Sequence, residues 1–265
     1  MNWRLVIDGN LAGARNMARD MAILDAVSAD AAPPTVRLYG WDPPCLTLGR
    51  HQNLDAAGLA FCRSEGIDVA RRPTGGRALL HQLELTYAVV ARLGVPPLPS
   101  RLQDAYRLIC AGLVDACREL GIAAELTGSD VNLRLPNPTS TVPCFEAPAE
   151  GEVVVAGRKL IGSAMRAHAG CILQHGAILL DWDGRLQAGA LGLPGETRLR
   201  QRITTISAEL ERAATRDEVE DTVLRGLAGR LGVEFALGGL TGIEAEREHA
   251  LVPSCAIPTA SAPPP

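Results

Sequence analysis

Lys159 is the only lysine among the 26 lysine and arginine residues of this 265-residue chain. A lysine ammonium is a compact charge on a flexible stem, whereas a guanidinium is a wide planar fork that does not fit the same geometry. Lys159 is followed closely by Gly162, Ser163 and Ala164, and such small residues permit close approach of the backbone to a ligand. Lys159 is therefore the first candidate for chemistry. The alternative is that one lysine survived by chance in a genome that favours arginine codons.

Cys144 is the second candidate, because it lies in the stretch 135–148, whose four prolines exclude a helix or a central strand. A cysteine in a loop is accessible in a way that a core cysteine is not. A free thiol has a pKa of about 8.5, so a nucleophilic cysteine needs a nearby cation that favours the thiolate. A hairpin turn predicted at 156–157 would bring Lys159 back towards Cys144 as that cation. An exposed thiol with a purely structural role is the alternative.

The third candidate is the segment Arg-Arg-Pro-Thr-Gly-Gly-Arg at 71–77, which lies between two apolar strand-like stretches. Its glycine pair, Gly75 and Gly76, allows backbone amides to face a ligand. No Gly-Lys-Ser/Thr follows, so the segment is not a nucleotide-binding P-loop. Taken alone, it is equally compatible with a plain turn.

Composition excludes several classes of protein. A net charge of −4 and three residues each of tryptophan and phenylalanine offer no surface for nucleic acid. The sequence has no apolar run of membrane-spanning length and no secretory signal, so we expect a cytoplasmic protein that does not enter a membrane. Seven cysteines without Cys-x-x-Cys or His-rich spacing predict free thiols and no metal. Cys110 and Cys117 lie within a helical apolar pattern and are expected in the core.

The pattern of elements predicts an α/β (α+β) fold, with a mixed β-sheet core flanked by helices. Residues 1–183 would form the catalytic core, 184–252 a helical C-terminal part of the same domain, and 253–265 a disordered tail rich in proline and alanine. The predicted strands are 3–7, 35–40, 69–71, 85–91, 123–127, 152–155, 159–161 and 171–180. The predicted helices are 14–27, 54–64, 101–120 and 216–231.

Taken together, the motifs resemble the biotin and lipoate protein ligase superfamily, most closely its octanoyltransferases of the LipM type. The resemblance covers roughly two thirds of the chain. Decisive for the subfamily is Cys-Phe-x-Ala-Pro at 144–148, which matches the position of the acyl-accepting cysteine upstream of the motif lysine. The other matching segments are 7–9, 16–18, 37–41, 52–53, 71–77, His81, 157–164 and 173–181.

This resemblance implies the superfamily's catalytic fold and a two-step acyl transfer in lipoate biosynthesis and protein lipoylation, without ATP or another cofactor. Cys144 would take the octanoyl group from octanoyl-acyl carrier protein as a thioester. A lipoyl-domain protein, such as the glycine cleavage H protein, would then accept the group on a lysine as an amide. Lys159 would either lower the pKa of the thiol or contact the acyl carbonyl.

The resemblance also implies a set of substrate-binding residues. The glycines of the two motifs would line an acyl tunnel, and their backbone amides would stabilise an oxyanion. For His81 and His175, a substrate-facing role and a hydrogen-bonded structural role remain equally open. The full set is Arg72, Thr74, Gly75, Gly76, His81, Gly162, Ser163, Ala164, His175 and Gly176.

Three other functions remain open from the sequence. An ATP-dependent lipoate-protein ligase would form an acyl adenylate and would tolerate loss of Cys144. An amidotransferase that moves octanoyl from the H protein to other lipoyl domains would also use Cys144. A non-catalytic lipoyl-domain binder would need neither Cys144 nor Lys159, and both are present.

Overall fold

A computed structural model of the chain describes residues 2–128 and 151–259. These residues form eleven strands and eight helices. The strands are β1 (Asn2–Leu11), β2 (Thr35–Trp41), β3 (Cys45–Leu48), β4 (Asp68–Arg71), β5 (Leu79–His81), β6 (Glu84–Arg92), β7 (Glu125–Leu126), β8 (Val153–Val155), β9 (Arg158–His168), β10 (Cys171–Leu179) and β11 (Glu234–Leu237). The helices are α1 (Gly13–Ser28), α2 (Ala56–Ser64), α3 (Leu102–Glu119), α4 (Gly184–Ala190), α5 (Thr197–Arg200), α6 (Ile206–Leu210), α7 (Arg216–Leu231) and α8 (Gly242–Cys255).

The main sheet has eight strands in the order β11-β1-β2-β6-β10-β9-β8-β7. β1 pairs in parallel with β11 and β2, and the other neighbours in this sheet are antiparallel. The predicted mixed sheet flanked by helices is therefore confirmed. β11, near the C-terminus, completes the sheet at one edge, so the largely helical C-terminal part also supplies a strand to the sheet.

Helices cover both faces of the main sheet. Successive side chains of a strand point to opposite faces, and β6 shows the division clearly. Tyr87 and Val89 pack with α3 and α7, whereas Ala88 and Val90 pack with α1 and α8. Cys110 and Cys117 lie in the first of these cores, as predicted. The sheet is thus buried on both sides, by α3 and α7 on one face and by α1 and α8 on the other.

A second, three-stranded sheet of order β4-β3-β5 lies beside the main sheet. β3 is parallel to β4 and antiparallel to β5, and Cys45 is paired with His81. The sequence did not reveal β3 or β5, because four-residue and three-residue strands are too short to show a period.

The C-terminal segment differs from the prediction of disorder from residue 253 onward. α8 continues through Pro253 to Cys255, because Leu251 and Cys255 are buried against the α1 side of the sheet. Ala256 then bridges to Ala70 in β4. Residues 260–265 lie outside the described part of the chain. Within the described residues, no helix combines the length and apolar character needed to cross a bilayer.

Candidate active site

A pocket opens where the main sheet meets the small sheet. Its apolar side chains include Met17, Trp41 and Leu79, from α1, β2 and β5. Seven residues predicted from the sequence also line it, which brings together motifs that lie up to about a hundred positions apart. These are Arg72, His81, Gly162, Ser163, Ala164, His175 and Gly176.

One wall of the pocket is the pairing of β9 with β10. Ser163 lies opposite Gly176, and Ala164 lies opposite His175. A Cβ atom at position 176 would lie 2.5 Å from the carbonyl oxygen of Gly162 and 2.8 Å from the Tyr87 ring. Only glycine fits there without displacing backbone, so this wall is made largely of main chain.

His175 is held at both ring nitrogens. Its Nδ1 lies 2.8 Å from Asp20 Oδ2, and its Nε2 lies 2.8 Å from Thr74 Oγ1. Thr74 is fully buried and is not among the described residues that line the pocket, but it contacts His175, which is. His175 thereby joins the loop after β4 to helix α1.

Asp20 is the centre of a buried charged network. Its carboxylate accepts hydrogen bonds from Arg37 Nη1 at 2.7 Å and from the Tyr39 hydroxyl at 2.9 Å. Burial alone would raise the pKa of Asp20, but Arg37 and His175 outweigh burial and lower it. The network continues from Arg37 through Asp8 and Arg19 to Glu248 of α8.

His81 has a similar arrangement. Its Nδ1 lies 2.7 Å from Glu84 Oε1, and its Nε2 lies 2.8 Å from Thr47 Oγ1. The Trp41 ring stacks on the imidazole with centroids 4.0 Å apart. Both histidines therefore line the pocket and are hydrogen-bonded at both ring nitrogens. A substrate-facing role and a hydrogen-bonded structural role are thus compatible for each of them.

Arg72 stabilises the glycine loop, residues 72–77, by hydrogen bonds to carbonyl oxygens of the same loop. Its guanidinium donates to the carbonyl oxygens of Gly75 at 2.9 Å, Arg77 at 2.6 Å and Thr47 at 3.1 Å. Among the described residues, Gly75 and Gly76 do not line the pocket. The Gly75 carbonyl instead faces Arg72. The glycine pair thus shapes the loop that carries Arg72 and Thr74.

Lys159 lies on β9, three residues before Gly162, which corresponds to about 10 Å along a strand. Its side chain is only 1% exposed, and Nζ donates to Glu152 Oε1 at 2.5 Å. The predicted hairpin before Lys159 is confirmed, since Ala156 and Gly157 join β8 to β9 with φ values of 48° and 74°. Positive φ at both positions suits a two-residue hairpin turn.

A buried polar cluster lies behind Ser163. The hydroxyls of Ser163 and Tyr87 are 2.7 Å apart, and Gln174 Nε2 donates to Tyr87 at 2.9 Å. Gln174 also donates to Cys110 Sγ at 3.3 Å. Burial raises the pKa of the Cys110 thiol to about 12, so this cysteine is not poised to act as a nucleophile.

Cys144 and the motif 144–148 lie outside the described residues. Of the predicted site, the structure therefore describes the pocket residues, the glycine loop and Lys159.

Sequence reasoning missed several polar residues that hold the site. Asp20 follows Met17 at helical spacing on the buried face of α1, and a carboxylate on an apolar face was a usable signal. Glu84 follows His81 by three residues, again a visible spacing. Thr47, Tyr87 and Glu152 left no such signal, because their partners lie far away in the sequence or on a neighbouring strand.

The pocket lining combines apolar side chains with the β9–β10 backbone and with polar side chains such as Thr47 and Arg72. Such a lining suits an apolar ligand that carries a polar end. Residues 12–228 match the model of the lipoyl protein ligase A/B catalytic domain family. The chain belongs to this family. The family's catalytic domain thus includes every predicted site residue.

Curated relatives of this family are similar over nearly their full length. The octanoyltransferase LipM of Kyrpidia tusciae is 40% identical over 263 residues, which cover 94% of each chain. The octanoyltransferase LipM of Bacillus subtilis is 36% identical and covers 94% of this chain and 93% of its own.

Solved structures of the family share the fold. Lipoate-protein ligase A bound with ATP has a TM-score of 0.77 at 23% identity, covering 96% of this chain and 95% of its own. A bipartite lipoate protein ligase from Thermoplasma acidophilum has a TM-score of 0.75 at 23% identity, covering 96% and 92%. At this identity the likeness concerns the fold alone.

Proposed function

We propose that this protein is an octanoyltransferase, an acyltransferase of lipoate biosynthesis that modifies lipoyl-domain proteins. Two LipM enzymes that are 40% and 36% identical over most of both chains support this activity. The observation that carries the proposal is the convergence of Gly162–Ala164, Gly176 and the two histidines on one pocket, beside the strand position of the only lysine.

In the proposed first step, the Cys144 thiolate attacks the carbonyl carbon of octanoyl-acyl carrier protein. A new carbon–sulfur bond forms to Cys144, the bond to the carrier sulfur breaks, and the carrier leaves as a thiol after taking up a proton. The chain keeps the octanoyl group as a thioester. No ATP is needed, because one thioester replaces another.

In the second step, a lysine amine of the lipoyl-domain acceptor attacks the Cys144 thioester. An amide bond forms, the Cys144 sulfur leaves, and the amine gives up a proton. The glycine cleavage H protein is the acceptor we propose, because the resemblance of Cys-Phe-x-Ala-Pro to LipM-type enzymes points to it. Lys159 would stabilise either the thiolate or the charge that develops on the acyl oxygen.

The pocket residues would bind the acyl chain. Met17, Trp41 and Leu79 offer apolar contact, and the β9–β10 pairing offers a wall made largely of main chain. Arg72 and Thr74 would hold the glycine loop at the rim of the pocket. We also propose a cytoplasmic location, because the six described cysteines are all free and buried, as is usual in a reducing compartment.

The test is acceptor modification with defined donors. Enzyme, octanoyl-acyl carrier protein and apo-H protein are incubated with and without ATP and magnesium, and the mass of the H protein is followed. Equal octanoylation in both samples is expected, and free octanoate with ATP should be a poor donor. Modification that requires ATP and a free acid would instead make the protein a ligase. Strong preference for an octanoyl-H protein donor over the carrier protein would make it an amidotransferase.

A further inference from the structure

Glu84 is a buried carboxylate that contacts two residues of the pocket lining. Its side chain is 1% exposed, and its Oε1 lies 2.7 Å from His81 Nδ1. The same oxygen accepts a hydrogen bond from Thr86 Oγ1 at 2.6 Å. His81 and Thr86 both line the pocket, whereas Glu84 is not among the described lining residues. Glu84 therefore acts on the pocket through these two neighbours.

Thr86 extends this contact to a third lining residue, Trp41. The indole Nε1 of Trp41 donates to Thr86 Oγ1 at 2.7 Å. The Trp41 ring also stacks on His81, with the two ring planes 17° apart. Glu84 is therefore bonded to one of two stacked rings directly and to the other through Thr86. Neither ring can turn without breaking a hydrogen bond or the stack.

The hydrogen bonds of these four residues all point towards Glu84. An indole N–H can only donate, so the Thr86 hydroxyl accepts from Trp41 and gives its own hydrogen to the carboxylate. An ionised carboxylate can only accept, so Nδ1 of His81 carries the hydrogen of that bond. The other ring nitrogen, Nε2, lies 2.8 Å from Thr47 Oγ1. The orientation of both rings thus depends on one acceptor, Oε1 of Glu84.

The second oxygen of Glu84 has a different environment. Oε2 is buried and has no hydrogen-bond partner among the described residues. Asp20, the carboxylate that holds the other pocket histidine, uses both of its oxygens, and its Oδ1 accepts from Arg37. An amide nitrogen in place of Oε2 would therefore break no described hydrogen bond of Glu84, whereas one in place of Oδ1 would face a guanidinium. The described contacts of Glu84 thus require one acceptor oxygen rather than a charge.

We propose that Glu84 is a positioning residue, which fixes the shape of the acyl pocket by orienting the Trp41 and His81 rings; this inference rests on the proposed function. Side chains that line a site keep their geometry when hydrogen bonds from other residues fix their rotamers. Without the acceptor at position 84, the donors of Thr86 and His81 would be buried unpaired or would turn elsewhere. Either outcome changes the lining against which the acyl chain packs.

The test separates binding of the acyl donor from the amount of folded enzyme. Wild type, Glu84→Leu and Glu84→Gln octanoylate apo-H protein, with octanoyl-acyl carrier protein as the varied donor. A misshapen pocket weakens donor binding and raises KM, whereas partial unfolding lowers kcat and leaves KM unchanged. Glu84→Leu removes the acceptor and should raise KM about tenfold, as expected for a buried donor left unpaired. Glu84→Gln keeps an acceptor oxygen and should restore KM to within about threefold of the wild type.

Thr86→Val tests the branch to Trp41, and Thr35→Val is its matched control. Thr86→Val leaves Trp41 Nε1 without its acceptor and should also raise KM, which keeps the test decisive if Glu84→Leu folds poorly. Thr35 is likewise buried, and its hydroxyl accepts from Arg4 and donates to the Pro33 carbonyl. These three residues are not among the described residues that line the pocket. Thr35→Val should therefore lose stability in thermal melting but keep the wild-type KM.

Hydrogen exchange at the Trp41 indole gives a measurement that does not depend on activity. The Nε1–H signal is assigned in NMR spectra by its loss in Trp41→Phe, and its exchange with deuterated water is followed. Exchange should accelerate in Glu84→Leu and Thr86→Val, because the indole loses its fixed partner. It should stay near the wild-type rate in Glu84→Gln and Thr35→Val.

Three results would overturn the inference. The first is a wild-type KM and wild-type exchange in Glu84→Leu or Thr86→Val. The second is equal damage in Glu84→Gln and Glu84→Leu, which would show that the charge is needed rather than the acceptor. The third is an equal rise of KM in Thr35→Val. If the wild type transfers no octanoyl group, the proposed function fails, and the exchange rates still decide whether Glu84 orients Trp41.

Discussion

His175 Nδ1 lies 2.8 Å from Asp20 Oδ2, so a carboxylate in the middle of helix α1 orients an imidazole in the wall of the pocket. The same carboxylate faces Arg37 and the Tyr39 hydroxyl. Asp20 therefore couples helix α1 and strand β2 to the ring orientation of His175, and through that ring to Thr74 of the glycine loop.

Asp20→Asn should destabilise the fold and displace His175. The amide keeps the size of the carboxylate but removes the charge that faces Arg37, and breaking a buried pair typically costs about 3–5 kcal/mol. Urea denaturation at neutral pH measures the loss. Asp25→Asn is the control on the same helix, because Asp25 is partly exposed and pairs with Arg247 at the surface. Its loss should be about 1 kcal/mol or less. Equal losses in both variants would contradict the role of Asp20.

The fold should lose stability in acid. Burial alone would raise the pKa values of Asp8, Asp20 and Glu248, but their arginine partners outweigh it and lower all three. A carboxyl whose pKa is lower in the folded state stabilises the fold above its unfolded value and loses that contribution as the pH falls through the folded value. The ordinary values are 3.8 for aspartate and 4.5 for glutamate. The melting temperature should therefore drop below about pH 4.5, and less steeply in Asp20→Asn. A melting temperature constant down to pH 3 would argue against the network.

Gly176→Ala should reduce both stability and acyl transfer. The added methyl would meet the Gly162 carbonyl oxygen and the Tyr87 ring, so β9 and β10 must shift at the pocket wall. Overpacking of this kind costs about 1–3 kcal/mol. Gly9→Ala is the control in strand β1, because nothing lies within 4 Å of a Cβ at that position. Thermal melting and the initial rate of acceptor octanoylation give the comparison, and a fully active Gly176→Ala would show that this wall does not hold the acyl chain.

Lys159→Arg should be nearly as inactive as Lys159→Ala. The guanidinium keeps the charge, but the side chain is enclosed at 1% exposure and a planar head cannot occupy the same place. We expect a fall in kcat on the order of 100-fold for both variants. If the lysine only lowers the pKa of the Cys144 thiol through its charge, Lys159→Arg would keep much of the activity. In that case Lys159→Ala, but not Lys159→Arg, would shift the pH dependence of iodoacetamide alkylation at Cys144. Wild-type turnover by Lys159→Ala would remove the residue from the mechanism.

Much of the sheet was predictable because its strands are long and apolar. The predicted strands near β1, β2, β6 and β10 are all present, and β9 extends well beyond the predicted 159–161. The short strands β3 and β5 and the late strand β11 were not predictable, since their pairing depends on distant partners. The extension of α8 past Pro253 depends in the same way on burial of Cys255.

The candidate site was predictable where a few adjacent residues form a recognisable motif, as in the glycine–serine run of β9 and the two histidines. Their partners were not. Glu152 becomes a partner of Lys159 only because a hairpin folds β8 onto β9, and Asp20 meets His175 across 155 positions of sequence. For Gly75 and Gly76 the motif was visible in the sequence, but its position relative to the pocket was not. The Gly75 carbonyl accepts from Arg72, and neither glycine is among the described residues that line the pocket.

The most direct test of the account is the mass of the intact enzyme after incubation with octanoyl-acyl carrier protein in the absence of ATP. The wild type should gain one octanoyl group that hydroxylamine removes, and Cys144→Ala should gain none. Cys110→Ala is the control, because burial raises the pKa of that thiol to about 12 and it should not compete. An unchanged adduct in Cys144→Ala would contradict the central claim.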